Sequence, residues 1–482
     1  MRAAVLLLLA APASADIRFE PVEVPVHEYV GGWEHFVGGG AAVFDCDGDA
    51  LPEIVAAGGE APVALWRNRG GMDFEPGAFP ETTGATGLYA LDLDADGPLD
   101  LVVTRVGPNL AFRGDGACGF SPLPLPDGGD AWTTAFTAVW QGARPTLAFG
   151  NYVDRADPDG PFGTCDDNLL LEPEGAGWRE TVLSPGHCAL SLLASDEDRD
   201  GVPTLRLSND RHYYLSGGRE QMWSLAERRF LGPADGFDAP SLWGMGIASG
   251  DATGDGLPEI VLTSMADQVA YLSSPEGLTR APYEAGLTAH RPHAGGDGRP
   301  STGWHAEWAD VENDGDLDLL IVKGNVDQMP GMAMKDPNNL LLNTGNGFVE
   351  ASVEAGVASD HRGRGGAWAD LDGDGRLDLV VVNRRAPLEV WRNVSDAGNA
   401  VAVELRQPGG NRHAVGAWVE LRTEAGVQAR ELTVGGGHGG DAVAPLWFGI
   451  GAAEAAELRV IWPGGAAGPW RPVAPGRVEI VR

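Results

Sequence analysis

The sequence predicts an all-β chain: a seven-bladed β-propeller followed by a small β-rich C-terminal domain. Three observations predict it. An Asp-rich phrase set between two apolar strands recurs along most of the chain. Glycine supplies 70 of 482 residues, about twice the usual ~7%, and short β-rich runs alternate with Gly, Pro, Asn and Asp turns while long helical periodicity is hard to find. After Gly398 the phrase stops, and the remainder alternates like strands without it.

The chain opens with Met1-Arg2, an apolar run from Ala3 to Ala11 and the small residues Ala13-Ser14-Ala15. Residues 1–15 therefore read as a secretory signal peptide cleaved before Asp16. The alternative is a short buried helix. The run falls short of the ~20 residues that span a bilayer, and no later stretch is apolar enough to do so. A soluble, exported chain is expected, periplasmic or extracellular. In such a compartment the four cysteines, Cys46, Cys118, Cys165 and Cys188, suggest disulfides. Three pairings are possible, and nearest-neighbour closure favours Cys165–Cys188 and Cys46–Cys118. No Cys-x-x-Cys spacing supports a redox or zinc centre.

The formal net charge is −35, from 69 acidic and 34 basic residues. Nucleic acid and anionic lipid both need a basic footprint, so both are excluded as expected partners. Acidity in an exported chain serves solubility or cation binding, and the repeat decides between them.

Its clearest copy is Gly366-Ala-Trp-Ala-Asp370-Leu-Asp372-Gly-Asp374-Gly-Arg-Leu-Asp378-Leu-Val-Val-Val. Five more are in register: Asp310, Glu312, Asp314, Asp318; Asp92, Asp94, Asp96, Asp100; Asp251, Thr253, Asp255, Glu259; Asp45, Asp47, Asp49, Glu53; and Asp196, Asp198, Asp200, with Thr204 at the last position. The starts at 45, 92, 196, 251, 310 and 370 leave one double gap of 104 residues. A seventh copy should lie near residue 145, where Thr146-Leu-Ala-Phe-Gly-Asn-Tyr reads as a second strand and Trp140-Gln-Gly-Ala-Arg144 replaces the loop. Leu65-Trp-Arg-Asn68 and Val390-Trp-Arg-Asn393 read as third strands, and Ala285-Gly-Leu287 and Ala355-Gly-Val357 mark the end of a fourth. Seven units of about 55 residues, four strands each, describe a propeller over residues 16–396. A parallel solenoid would use shorter repeats.

Loop positions 1, 3, 5 and 9 carry oxygen side chains and position 6 is usually Gly. Alternating Asp residues on a tightly curled loop aim their carboxylates at one centre, and the position 7 carbonyl (Arg376, Asp316 or Pro98) adds a ligand. Hard oxygen ligands in this number suit Ca²⁺ better than Mg²⁺, which keeps its waters, so five or six calcium ions are expected. Packed carboxylates without a cation would repel one another. The alternative, solvated acidic turns, fits best at the Asp196 loop. The loops join strands and lack the Glu at position 12 of an EF-hand.

Residues 397–482 read as a small separate β module: Gly416-Ala-Trp-Val-Glu-Leu421, Leu446-Trp-Phe-Gly-Ile-Gly451 and Leu458-Arg-Val-Ile-Trp-Pro-Gly464 alternate like strands. The Asp-rich loops resemble FG-GAP/VCBS repeats, the calcium-binding blades of integrin α-type propellers. Gly416-Ala417, Leu446–Gly451 and Val460–Gly464 resemble the ASPIC/UnbV module. Together the halves are similar to the cartilage acidic protein family and its bacterial relatives, which implies extracellular binding or adhesion but supplies no substrate. One departure is Gly435-Gly-Gly-His438-Gly-Gly440, where the family tends to have Ser, Tyr and Gln, so any ligand contact made there in relatives does not carry over.

An enzyme, a hydrolase or lyase acting on a polysaccharide, is the competing reading. The obvious carboxylate pairs are already claimed for calcium, and Gly-x-Ser-x-Gly, His-Glu-x-x-His and P-loop motifs are missing from the sequence. Asp157 and Asp159 sit in an insertion, Asp154 to Asp167, that reads as a surface loop, the alternative being an extra cation or ligand site. A binding module for an extracellular or periplasmic protein or glycan is expected, and a monomer. In an up-and-down blade the segment entering the first strand lies opposite the first loop. The entry segments carry Trp33 and His35, Trp243, Trp304 and His305, and His361 with Arg362 and Arg364, suited to stacking and to holding a carboxylate or sulfate. Alternatively, these aromatics fill the channel mouth.

Overall fold

The computed structural model describes residues 16–158, 163–210, 217–288 and 290–482; the expected signal peptide, residues 1–15, and Asp159 lie outside them. Each Asp-rich phrase joins the first two strands of a four-stranded antiparallel sheet. In blade six, Gly303–Ala309, Asp318–Lys323, Asn339–Asn343 and Phe348–Glu350 pair in sequence order, with Ala309 opposite Asp318 and Leu320 opposite Leu340. The described residues hold seven such sheets. Their first strands begin at Ala41, Ala85, Thr133, Ala189, Gly244, Gly303 and Gly363, and they touch one another in a closed ring.

The strand sequences suit their radial places. First strands converge on the axis, so Gly363–Ala369 is rich in Gly and Ala. Second strands are covered on both faces and read as continuous apolar runs: Asp378–Asn383 is buried throughout. Fourth strands are short and half exposed, as at Phe120–Pro122. Ala285–Leu287 and Ala355–Val357 follow the fourth strands in short helical turns. Blade three has its second strand at Pro145–Asn151 and a bare turn after Trp140. Blade seven takes its fourth strand from the other end of the chain: Phe19–Val22 pairs antiparallel with Val390–Asn393.

Both disulfides form, Cys46–Cys118 and Cys165–Cys188, and no described cysteine is free. The first ties the blade one loop to blade two. The second ties the loop between the second and third strands of blade three to the start of blade four. No helix among the described residues is long and apolar enough to cross a membrane.

From Asn399 onward two sheets enclose a second core. One holds Leu446–Gly451, Asn399–Arg406 and Gly476–Val481; the other holds Val427–Glu431, Trp418–Arg422, Ala456–Ile461 and Arg471–Val473. Val403, Val419, Phe448 and Leu458 are fully buried between them. The module has its own core and also reaches into the propeller. Gly440–Ala442 leaves the module and pairs in parallel with Leu88–Ala90, giving blade two a fifth strand. The two parts are interlocked.

Candidate functional site

The Asp-rich loops are braced by their own carboxylates, at position 9 in five of the six and at position 1 where it meets backbone donors. The position 9 oxygens brace the loop from below. Asp378 accepts from the Leu371 and Asn393 N–H groups, both at 2.8 Å. Asp318 accepts from Val311 and Asn343, Asp100 from Leu93 and Gly114, and Glu259 from Ala252 and Ser273. Position 1 tightens the turn: Asp310 Oδ1 and Oδ2 accept from Asp314 and Gly315, and Asp370 accepts from Asp374 and Gly375.

Other oxygens are left facing inward. Within each of four sets, candidate ligand atoms lie within 4.8 Å of one another: Asp45, Asp47 and Glu53; Asp92, Asp94 and Asp96; Asp196, Asp198 and Asp200; Asp310, Glu312 and Asp318. Asp92 and Asp251 are buried, and neither oxygen of either meets a donor at hydrogen-bonding geometry; nor do Glu312 Oε2 and Asp316 Oδ1. Burial raises these carboxyls, Asp92 and Asp370 to about 6, Asp100 and Glu259 to about 7, and Asp310 and Asp378 to about 8. Crowded, desolvated carboxylates with free oxygens fit a hard divalent cation.

The sequence reading missed a partner of position 3. In blades one, two and seven a third-strand arginine reaches it: Arg67 to Asp47, Arg113 to Asp94, and Arg392 to Asp372 at 2.6 Å. The signal was present in the repeated Trp-Arg-Asn of blades one and seven, whereas blade two reads Phe112-Arg113-Gly114. The Asp196 loop differs from the others. Glu197 there pairs with the buried Arg206 at 2.6 Å, and Arg199 leaves the loop for Glu420 of the module.

That last contact belongs to a docking surface. The module sits on the loop face of the propeller. His413 meets the Gly97 carbonyl (3.0 Å), Trp140 donates to Gly410 O (3.2 Å), and Trp447 donates to Asn313 Oδ1 (2.8 Å). A Cβ on Gly449 would lie 2.0 Å from Asp310 Oδ2, so the glycine of the Leu446–Gly451 run admits the loop. The module's half-buried Arg430 feels Asp310 and Asp251, the first carboxylates of neighbouring loops. A cavity of about 250 Å³ lies at this junction, lined by Trp308, Trp368, Trp418 and Trp447 with Asp251, Asp310 and Asp441.

From the junction Gly435–Gly440 runs down the propeller axis. Gly436 and Gly437 donate to Leu192 and Ile247 O, each at 2.7 Å, and Leu88 donates to Gly439 O at 2.9 Å. The packing is backbone against backbone: a Cβ on Gly40 would stand 1.7 Å from Gly439 O. Gly437, at φ +50°, has the His305 ring where a Cβ would go. His438 is fully buried. Its Nδ1 meets Met245 O at 3.1 Å, its Nε2 accepts from Gly38 N–H at 3.1 Å, and burial lowers its pKa to about 3. It is neutral with the proton on Nδ1. The Gly-rich turn that departs from the family pattern is thus an axial plug whose partner is the propeller itself.

The far end of the axis holds the residues read as ligand contacts, and the structure divides them. Trp33, His361 and Arg362 reach the surface, and Trp243 is half-buried. His35, Trp304, His305 and Arg364 are buried, which corrects their reading as exposed recognition groups. The reason is a bulge near the start of the first strand, between Gly303 and Ala306 and again between Gly363 and Gly366. Bulges re-aim side chains, and here they turn Trp304 and Arg364 inward, the guanidinium 4.0 Å above the indole. His305 Nδ1 accepts from the His438 N–H. Trp304 joins Trp132, Tyr152, Met245 and Met332 in one apolar cluster closing the channel. Asp157 lies in the insertion between the second and third strands of blade three, where Thr164 donates to it.

Residues 45–103 and 331–381 match the FG-GAP-like repeat, and residues 407–481 match ASPIC and UnbV. The chain carries both. The FG-GAP-like matches fall on blades one and two and on blades six and seven, and the ASPIC and UnbV match covers most of the module with its plug. The chain is similar to cartilage acidic protein 1. Identity to that of Xenopus tropicalis is 31% over 185 residues, 36% of this chain and 27% of that protein. For Mus musculus it is 29% over 330 residues, 59% and 49%. The chain spans half or less of the length of these curated relatives. Among solved structures, BBS1N in complex with ARL6DN is similar at a TM-score of 0.48 and 10% identity, over 78% of this chain and 97% of that one. YCF48 from Cyanidioschyzon merolae gives 0.44 and 10%, over 78% and 99%.

Proposed function

We propose that the protein is an exported, calcium-loaded propeller that binds an extracellular or periplasmic protein or glycan on the face opposite its Asp-rich loops. One observation carries the calcium: six loops in register, in four of which carboxylate oxygens lie within 4.8 Å of one another, several of them buried without a donor. The two disulfides and the similarity to a cartilage acidic protein support an oxidising, extracytoplasmic setting. The choice of face follows from the docked module, which occupies the loop face and leaves the far face open.

The test of calcium is metal content by mass spectrometry together with thermal melting in calcium and in chelator. Five or six ions and a higher midpoint in calcium are expected; equal midpoints overturn the reading. A panel of chromogenic glycosides, esters and phosphates tests the binder against the catalyst, and robust turnover would favour a hydrolase or lyase.

A further inference from the structure

The far face carries a charge at odds with the rest of the chain. In a protein of formal net charge −35, Arg362, Arg364, Arg384 and Arg385 gather where blade seven meets the entry to blade one, around one carboxylate. Asp327 Oδ1 lies 3.2 Å from Arg385 Nη1 and 3.6 Å from Arg362 Nη1. The other two guanidiniums are buried and bond to carbonyls: Arg364 to Phe36 O (3.0 Å) and Gly363 O (2.9 Å), Arg384 to Gly31 O (3.1 Å) and His35 O. Carbonyls satisfy donors but do not neutralise charge, so these two cations share Asp327 with the other two and add positive field from a low-dielectric site.

Of the acids around the cluster, one is neutralised by another cation, and two are bonded to neutral donors and keep their charge. Glu34 pairs with Arg155 at 2.8 Å, Glu60 accepts from Gly32 N–H at 2.8 Å, and Glu389 accepts from Asn383 at 2.7 Å and faces His361. Arg385 and Arg362 keep outward access, the former with 44% of its side chain exposed. Arg385 Nη2 also donates to Gly31 O (3.0 Å), two residues before Trp33. Trp33 is 48% exposed and held upright by an edge-on contact with Trp132.

We propose that Arg362 and Arg385 hold the carboxylate or sulfate of an acidic sugar whose ring packs on the exposed indole of Trp33. This rests on the far-face reading above and names its ligand class. A guanidinium grips a carboxylate or sulfate with two parallel donors, and an exposed indole stacks on a sugar ring. One charge site beside one aromatic platform matches a single acidic sugar unit better than a run of acidic residues on a peptide.

The test titrates the full-length, calcium-loaded protein with a heparin hexasaccharide, an oligogalacturonate, a neutral oligosaccharide and polyglutamate. At least one of the two acidic oligosaccharides is expected to bind, more weakly as salt rises. Heparin alone assigns a sulfate, and oligogalacturonate a carboxylate. Arg362→Gln with Arg385→Gln, and separately Trp33→Ala, should weaken binding about tenfold or more, while Asp327→Asn should strengthen it. Failure of both acidic sugars to bind, binding unchanged in every variant, or capture of polyglutamate alone overturns the proposal. Metal content and melting of the same samples separate this failure from that of the underlying reading. Normal calcium loading without acidic-sugar binding sinks only the ligand class, whereas absent calcium sinks the calcium-loaded propeller.

Discussion

The two ends of the propeller axis are closed by different physics. At the far end, Trp132, Trp304, Tyr152, Met245 and Met332 fill the channel with side chains. At the loop end, Gly436, Gly437 and Gly439 fill it with main chain, bonded to the first strands. A side-chain plug tolerates repacking of similar volume. A main-chain plug has little slack, because an added atom meets backbone or the buried His305 ring. The first closure is local to the blades; the second depends on a domain that follows all of them.

On the proposed calcium loading, the largest effect should come from removing the ions, which would act on the loop end and leave the far end unchanged. Extracellular sites have Kd of ~10⁻⁴–10⁻³ M, so at one to ten times Kd each ion adds ~0.4–1.4 kcal/mol. Five or six ions sum to several kcal/mol, read as a fall in melting midpoint in chelator. Gly437→Val should cost about 2–4 kcal/mol through the positive φ and the clash with His305. Met332→Leu in the far cluster should cost less than ~1.5 kcal/mol. Equal losses would erase the contrast between the two plugs.

Cys165→Ser with Cys188→Ser should remove about 3 kcal/mol by loop-closure entropy over a separation of 23 residues, and unreduced peptide mapping should show the native link. A smaller, sharper pair sits within one loop. Asp378→Ala breaks two backbone hydrogen bonds and should lower the midpoint with or without calcium. Asp372→Ala should lower it chiefly in calcium and remove about one ion by metal analysis. If both behave alike, position 9 is no separate brace.

The smallest effect concerns pH. Burial raises the carboxyls of Glu220 and Asp441 to about 8. The folded chain therefore holds protons that the unfolded chain releases, and between about 4.5 and 8 stability falls as pH rises. Melting in saturating calcium should show a lower midpoint at pH 8 than at pH 6, and Asp441→Asn should flatten part of that slope.

Much of this was legible in the sequence because it is periodic or local. The Asp loops announced the first two strands of six blades, and the run Thr146–Tyr152 placed the second strand of the seventh. The short separations of the four cysteines favoured the pairing that forms. Long-range features left no such trace. Gly435–Gly440 reads as a flexible turn, since nothing in a run of glycines shows that another backbone will press on it. The bulges that turn Trp304 and Arg364 inward depend on strand register, which periodicity leaves one residue uncertain. Two of the arginines that reach position 3, Arg67 and Arg392, were visible in a repeated Trp-Arg-Asn, but only the blade's twist brings them to the loop.

The strand Phe19–Val22 gives the molecule an order of assembly. Beside it, Arg18 N–H donates to Ser395 Oγ across 377 positions of chain, and the strand's partners are among the last residues of the propeller. The ring cannot shut until nearly the whole propeller has been delivered to the compartment where it folds, and the plug cannot seat until the module follows. Contacts this distant in sequence slow folding. Until then blade seven presents an unpaired edge, so a chain stalled or truncated short of Asn393 should aggregate rather than persist as a smaller propeller.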